Sequence, residues 1–182
     1  MTYKFQSPAV FLIGPTASGK TDTAIKLAEK YPFEIISVDS AMVFKDMNIG
    51  TCKPSSQNLE RIPHHLIDIL NPDAKFDAGL FISYVESAVK NIINNNKIPL
   101  FVGGTMMFHK VLFDGIHDFP RDENLRQEIN LTKKNNGYEH LLDELKQLDP
   151  ETFQSIDVKN PRRVERALEI IKLTKTKLSS LK

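Results

Sequence analysis

Ala9-Val10-Phe11-Leu12-Ile13-Gly14-Pro15-Thr16-Ala17-Ser18-Gly19-Lys20-Thr21 is the stretch that decides the fold. Five apolar residues run into a glycine-bounded loop, after which Ala24, Ile25, Leu27 and Ala28 recur at helical spacing, so the pattern predicts strand, loop and helix. The loop fits G-x-x-x-x-G-K-[ST]. Gly14 and Gly19 permit turns that aim several N–H groups at one point, and the helix N-terminus adds its positive dipole end. Lys20 supplies a mobile charge for an outer phosphate, and the Thr21 hydroxyl is placed to ligate Mg²⁺. Gly14, Pro15, Thr16, Ala17, Ser18, Gly19, Lys20 and Thr21 are therefore the expected diphosphate-binding residues. The loop alone leaves open whether the phosphates belong to a nucleotide or to another diphosphate.

Outward from the loop, strand and helix patterns alternate. Tyr31-Pro32 ends the first helix, and Glu34 to Val38 reads as a second strand finishing at Asp39-Ser40. Ligands gather outside the carboxyl ends of strands in open α/β sheets, so Asp39 should share a rim with the phosphate loop. It is a candidate base there, although an Asp in that place also suits a turn cap. Residues 41–57 lack a clean period and predict an irregular segment across the rim. Leu66 to Leu70 predicts a third strand. The preceding His64-His65 pair suggests packing or capping rather than a metal, since no further ligands stand at suitable spacing.

Residues 78–94 predict an amphipathic helix, and Ile98 to Val102 a fourth strand. Gly103-Gly104-Thr105 then brings backbone amides and a hydroxyl to the ligand rim, or makes a tight turn with a capping Thr; both can hold. The fold class expected is α/β, a P-loop NTPase-like parallel sheet flanked by helices. From Pro120 onward the spacing is helical with no strand between, predicting a P-loop α/β core over residues 1–119 and, as a helical insertion relative to the sheet, a helical appendage over 120–182 that could bind RNA. Asn160-Pro161 starts the last helix, cap then proline. The sheet is expected to lack its last strand, because the chain ends in helix without returning to it.

Charge nearly cancels, 24 Lys+Arg against 23 Asp+Glu, so no global basic signature marks a nucleic-acid partner. Residues 155–182, however, carry 8 basic and 3 acidic side chains. Arg163 and Arg166 stand together beside the apolar stripe Val164, Ala167, Leu168 and Ile171; that flank is either a solvated face or a grip on RNA phosphates. One cysteine, Cys52, excludes an intramolecular disulfide. The start Met1-Thr2-Tyr3-Lys4 carries no signal pattern and no apolar run spans a bilayer, predicting a cytoplasmic protein without a membrane partner.

Five blocks in order resemble the tRNA dimethylallyltransferases, also called tRNA isopentenyltransferases: GPTASGKT from Gly14, ISVDS from Ile36 with MNIGTCKP from Met47, IPHHLIDI from Ile62, PLFVGGTM from Pro99 and RVERALEI from Arg163. The resemblance implies transfer of a dimethylallyl group from dimethylallyl diphosphate to N6 of the adenosine 3′ to the anticodon. It implies Asp39 as base, Lys20 and Thr105 as catalytic partners, and Mg²⁺ at Thr21. It also implies tRNA contacts at Asp39, Ser40, Ala41, Met42, Thr105, Arg126, Arg163, Val164, Glu165, Arg166 and Ala167, in a monomer. Family members are longer, and their later residues add a last sheet strand. Departures are Phe108-His109, where a Tyr is common, and Ser155 to Asn160 before the arginines. A small-molecule or nucleoside kinase is the alternative, since it shares the loop and an Asp after the second strand.

Overall fold

The computed structural model describes residues 8–115 and 119–181, and Met1–Lys4 and Lys182, read above, lie outside them. The chain divides into two compact units, Met1–His117 and Asp118–Lys182.

In the first unit β1 (Val10–Ile13), β2 (Phe33–Ser37), β3 (His64–His65) and β4 (Ile98–Gly103) form a parallel sheet in the order β1-β4-β2-β3. Helices α1 (Lys20–Lys30), α2 (Ser56–Arg61), α3 (Ala78–Asn94) and α4 (Met106–Asp114) connect or follow them. The pleat sorts neighbours onto opposite faces. Ile35 and Leu100, paired in register, pack with Ala24 and Ile25 of α1, whereas the next pair, Ile36 and Phe101, packs with Phe81, Val85, Phe108 and Leu112 of α3 and α4. Both faces are thus covered, which is why these strands read as continuous apolar runs rather than alternating ones.

The third strand differs from the sequence reading. It is His64–His65, two residues before the expected run. Leu66 and Asp68 adopt left-handed backbone, φ 63 and 53, which breaks strand geometry, and Leu70 keeps only an isolated bridge to Phe44. A short helix, α2, also stands inside the segment expected to be irregular, capped by Ser55, whose side chain accepts from Asn58 N at 3.4 Å. The two histidines have separate duties. His65 Nε2 donates to the buried Glu34 carboxylate at 2.8 Å, which also accepts from Asn95 Nδ2 at 3.1 Å, tying β3, β2 and the end of α3 together.

The second unit is helical: α5 (Glu123–Asn136), α6 (Tyr138–Leu148), α7 (Pro150–Ser155), α8 (Pro161–Thr174) and a final 3₁₀ turn, Leu178–Leu181. Asn160 Oδ1 accepts from Arg162 N at 3.1 Å, the cap its position before Pro161 predicts. Val164, Ala167, Leu168 and Ile171 pack with Ile129, Leu141 and Leu145 as one core. Asp149 pins the turn between α6 and α7 to the last segment, accepting from Thr152 N and Oγ1 at 3.0 and 2.7 Å and from Ser179 N and Oγ at 2.9 Å each. Burial alone would raise its pKa, but these bonds hold the carboxyl well below the usual range. No helix among the described residues is long and apolar enough to cross a membrane.

Candidate active site

The carboxyl ends of β1, β2 and β4 converge, and two glycines let them. A Cβ on Gly103 would lie 2.1 Å from the Val38 carbonyl oxygen, and one on Gly104 would lie 2.8 Å from that of Gly14. Only a residue without a side chain lets these backbones approach so closely. The start of the phosphate loop, the residue before Asp39 and the end of β4 are thereby brought to one place. A cavity of about 440 Å³ opens there, lined by Thr16, Ala17, Ser18, Gly19, Lys20 and Thr21 together with Asp39, Met42, Gly103 and Gly104. Its volume is that of a small-ligand site.

Gly19, φ 77, and Ala17, φ 63, carry the left-handed backbone that curls the loop before α1. Lys20 Nζ donates to the Pro15 carbonyl and to Ser18 Oγ at 3.3 Å, so the lysine folds over its own loop. Asp39 Oδ1 accepts from the amides of Ala41 at 2.8 Å and Met42 at 3.2 Å, fixing the carboxyl plane. Its Oδ2 has no partner among the described residues. Asp39 therefore caps the next turn with one oxygen while its other oxygen makes no bond among the described residues, so the capping role leaves room for the second role its position suggests. Thr105 N donates to Val38 O at 3.3 Å, and its side chain makes no cap bond to α4. It stands beside Gly104 at the rim, outside the cavity lining, as do Ser40 and Ala41.

Lys53 and His64 are among the lining residues that the sequence did not mark as part of the site. Lys53, in the segment that crosses the rim, looks like any surface lysine in sequence, yet its side chain is 3% exposed and paired with Asp68 at 2.6 Å. His64 donates from Nδ1 to Ile62 O at 2.7 Å, and burial pushes its pKa down from the ordinary value. Its register with Ile35 sets it on the face that α1 covers, a placement visible only once β3 is paired.

The helical unit holds a separate groove of about 760 Å³, lined by Arg126, Asn130, Lys133, Arg162, Glu165 and Arg166 over the buried Glu169. Arg126 Nε donates to Glu169 Oε1 at 3.0 Å and Arg166 to Oε2 at 2.7 Å, while Arg166 also reaches the carbonyls of Pro120 at 2.9 Å and Phe119 at 3.0 Å. Burial would raise the Glu169 pKa, but the Asp122 amide and the two arginines bring it below its ordinary value. Arg163 is exposed and comes no nearer than 4.0 Å to Asp157. Val164 and Ala167, expected among nucleic-acid contacts, have their side chains buried in the helical core. The 3.6-residue period that builds the core turns them inward.

The model of one protein family, IPP transferase, matches residues 42–182. The chain belongs to the IPP transferase family. It is similar in structure to the tRNA isopentenylpyrophosphate transferase of Bacillus halodurans, with 37% identity over 92% of this chain and 56% of that one, TM-score 0.59. A tRNA delta(2)-isopentenylpyrophosphate transferase from Staphylococcus epidermidis is 38% identical over 96% of this chain and 58% of its own, TM-score 0.56. A eukaryotic dimethylallyltransferase acting on tRNA is 29% identical over 94% of this chain and 43% of its own, TM-score 0.80. The chain thus spans little more than half the length of the two bacterial IPP transferases. Within the IPP transferase match fall Lys53, His64 and Gly103, and also both arginines held by Glu169.

Proposed function

We propose that the protein transfers a dimethylallyl group from dimethylallyl diphosphate to the N6 amine of the adenosine 3′ to the anticodon of tRNA, acting as a monomer in the cytoplasm. The observation that carries this reading is that Asp39 and the phosphate loop line one cavity. An adenine amine is a weak nucleophile, its lone pair being delocalised into the ring. A carboxylate held at Oδ1 by two amides and open at Oδ2 is suited to take its proton as the N–C bond forms. Meanwhile the allylic C–O bond breaks and its electron pair leaves on the diphosphate. Lys20 and the loop amides would meet that charge; in other enzymes losing one such donor costs about 3–4 kcal/mol.

Thr21, Asp22 and Asp39 line the cavity, and no cluster of three or more His, Cys, Asp or Glu among the described residues could hold a metal by itself. That donor set fits Mg²⁺, which takes one or two protein oxygens alongside substrate phosphates, with Thr21 as the proposed ligand. When bound, the ion would neutralise charge on the diphosphate. The target base must leave its stack to reach Asp39, and Met42 and the Gly103-Gly104 backbone offer surfaces against which it can rest. Thr105 at the rim and Ser40 and Ala41 beside Asp39 are proposed tRNA contacts, as are Arg126, Arg163, Glu165 and Arg166 in the helical unit.

Incubating the protein with dimethylallyl diphosphate and an anticodon stem-loop, followed by mass spectrometry, tests the reading. Gain of one dimethylallyl mass on a single adenosine is expected. Tight ATP binding by calorimetry, with no response to dimethylallyl diphosphate, would instead assign a kinase.

A further inference from the structure

Lys53 is a buried cation on the wall of the cavity that the phosphate-loop chemistry does not employ. An ammonium has three N–H groups, and here all three are placed. They go to Asp68 Oδ1 at 2.6 Å, Phe44 O at 2.8 Å and Asn48 Oδ1 at 3.1 Å, leaving none for a ligand. The acceptors come from the beginning and the middle of the segment that crosses the rim, and from the stretch after β3.

The backbone supports the same join. Asp68 N donates to Met42 O at 3.1 Å, Ile69 N and Leu70 N to Val43 O at 2.9 and 3.0 Å, and Lys45 N to Leu70 O at 2.7 Å. Cys52, next to Lys53, and Asp68 itself both hold left-handed backbone, φ 55 and 53. Non-glycine residues stay in that region only where their surroundings over-determine it. One side chain thus connects two strained stretches beside a ligand cavity.

We propose that Lys53 is a positioning residue: its ammonium holds the segment from Met42 to Pro54 over the phosphate loop and so sets the affinity for a diphosphate. This rests on the diphosphate reading of the cavity given above. The opposing account has Lys53 leave Asp68 and bind the anion itself. The two accounts give opposite signs for one substitution. If Lys53 acts through the segment it holds, Asp68→Asn loosens that segment and weakens diphosphate binding. If Lys53 is a ligand cation, Asp68→Asn frees it and strengthens binding. Asparagine tolerates left-handed backbone, so the substitution leaves the local conformation accessible.

The experiment is calorimetry with inorganic pyrophosphate on the unaltered protein, Lys53→Met, Lys53→Arg, Asp68→Asn and the Lys53→Met/Asp68→Asn pair, with amide hydrogen exchange at Lys45, Asp68, Ile69 and Leu70. Lys53→Met and Asp68→Asn should each weaken pyrophosphate binding about tenfold through the cost of ordering the segment. The pair should be no worse than the poorer single change, because both break one link. Lys53→Arg should recover part of the loss, and exchange at the four amides should quicken in step with it. In the transfer assay KM for the diphosphate donor should rise while kcat changes little. Unchanged or tighter binding by Asp68→Asn, with the unaltered protein binding normally, overturns the proposal alone. No pyrophosphate binding by the unaltered protein overturns it together with the function on which it rests. Should Lys53→Met fail to fold, Asp68→Asn still decides the sign.

Discussion

Gly103 faces the carbonyl of Val38 so closely that a methyl group in place of its hydrogen would stand 2.1 Å from that oxygen. The neighbour is backbone at the end of β2 and cannot swing aside as a side chain would. Gly103→Ala must therefore push β2 and β4 apart where Asp39 begins. We expect a loss of about 1–3 kcal/mol in urea unfolding, the usual range for overpacking. Transfer activity should fall further than stability accounts for, because Asp39 moves with Val38.

Asp39→Asn keeps the size of the side chain and an oxygen for the amides of Ala41 and Met42, while removing the proton acceptor. Single-turnover transfer should slow by at least roughly a hundredfold with little change in tRNA affinity. A near-normal rate would leave Asp39 only its capping role.

The two arginines of α8 should separate in their effects. Arg163 is exposed with one distant acidic neighbour, whereas Arg166 is bonded to Glu169 and two carbonyls. Arg163→Ala should leave the melting temperature nearly unchanged and reduce the slope of log affinity for the stem-loop against log salt by about 1. Arg166→Ala should lower both affinity and melting temperature. Equal salt slopes for Arg163→Ala and the unaltered protein would assign that arginine to solvent.

Glu169→Gln leaves two arginines facing a neutral amide in a buried place. Breaking a fully buried pair costs about 3–5 kcal/mol; with Arg126 and Arg166 38% and 30% exposed, the helical unit should lose less than that. Loss of the α8 amide protection in hydrogen exchange, confined to the helical unit, would report it.

Acid should act on the helical unit through Asp149 and Glu169, whose folded-state pKa values both lie below their ordinary values of 3.8 and 4.5. The unfolded chain then binds protons more readily than the folded one, so this contribution is complete above those ordinary values. It is lost as pH falls toward the folded ones. A thermal melt series from pH 6 downward should show a falling midpoint beginning near about pH 5. Asp149→Asn should flatten that fall while lowering the midpoint at neutral pH.

Much of this was legible in sequence because local and global signals agree. Ala24 and Ile25 repeat at helical spacing behind a glycine loop, and Ile35-Ile36 is apolar on both faces because helices cover both. The loop is read from its G-x-x-x-x-G-K-[ST] pattern and Asp39 from the end of the second strand. What stayed hidden depended on contacts distant in sequence. His64–His65 becomes a strand by pairing with Ile35 and Ile36, and the more apolar run after it is bent away by Leu66 and Asp68. Helix α2 is six residues long, too short to show a period, and its signal was the Ser55 cap. Lys53 and Glu169 acquire much of their meaning from partners 15 and 43–47 positions away, beyond the reach of local pattern.

Lys20 folds back onto Pro15 and Ser18. If the loop takes the diphosphate proposed above, that anion would swap partners with a lysine already occupied, instead of meeting a bare charge. A monoanion or an alcohol offers that lysine little more than it gives up, whereas a diphosphate offers several oxygens at once. On the proposed reading, the resting loop would act as a filter by charge density, favouring a diphosphate over weaker ligands.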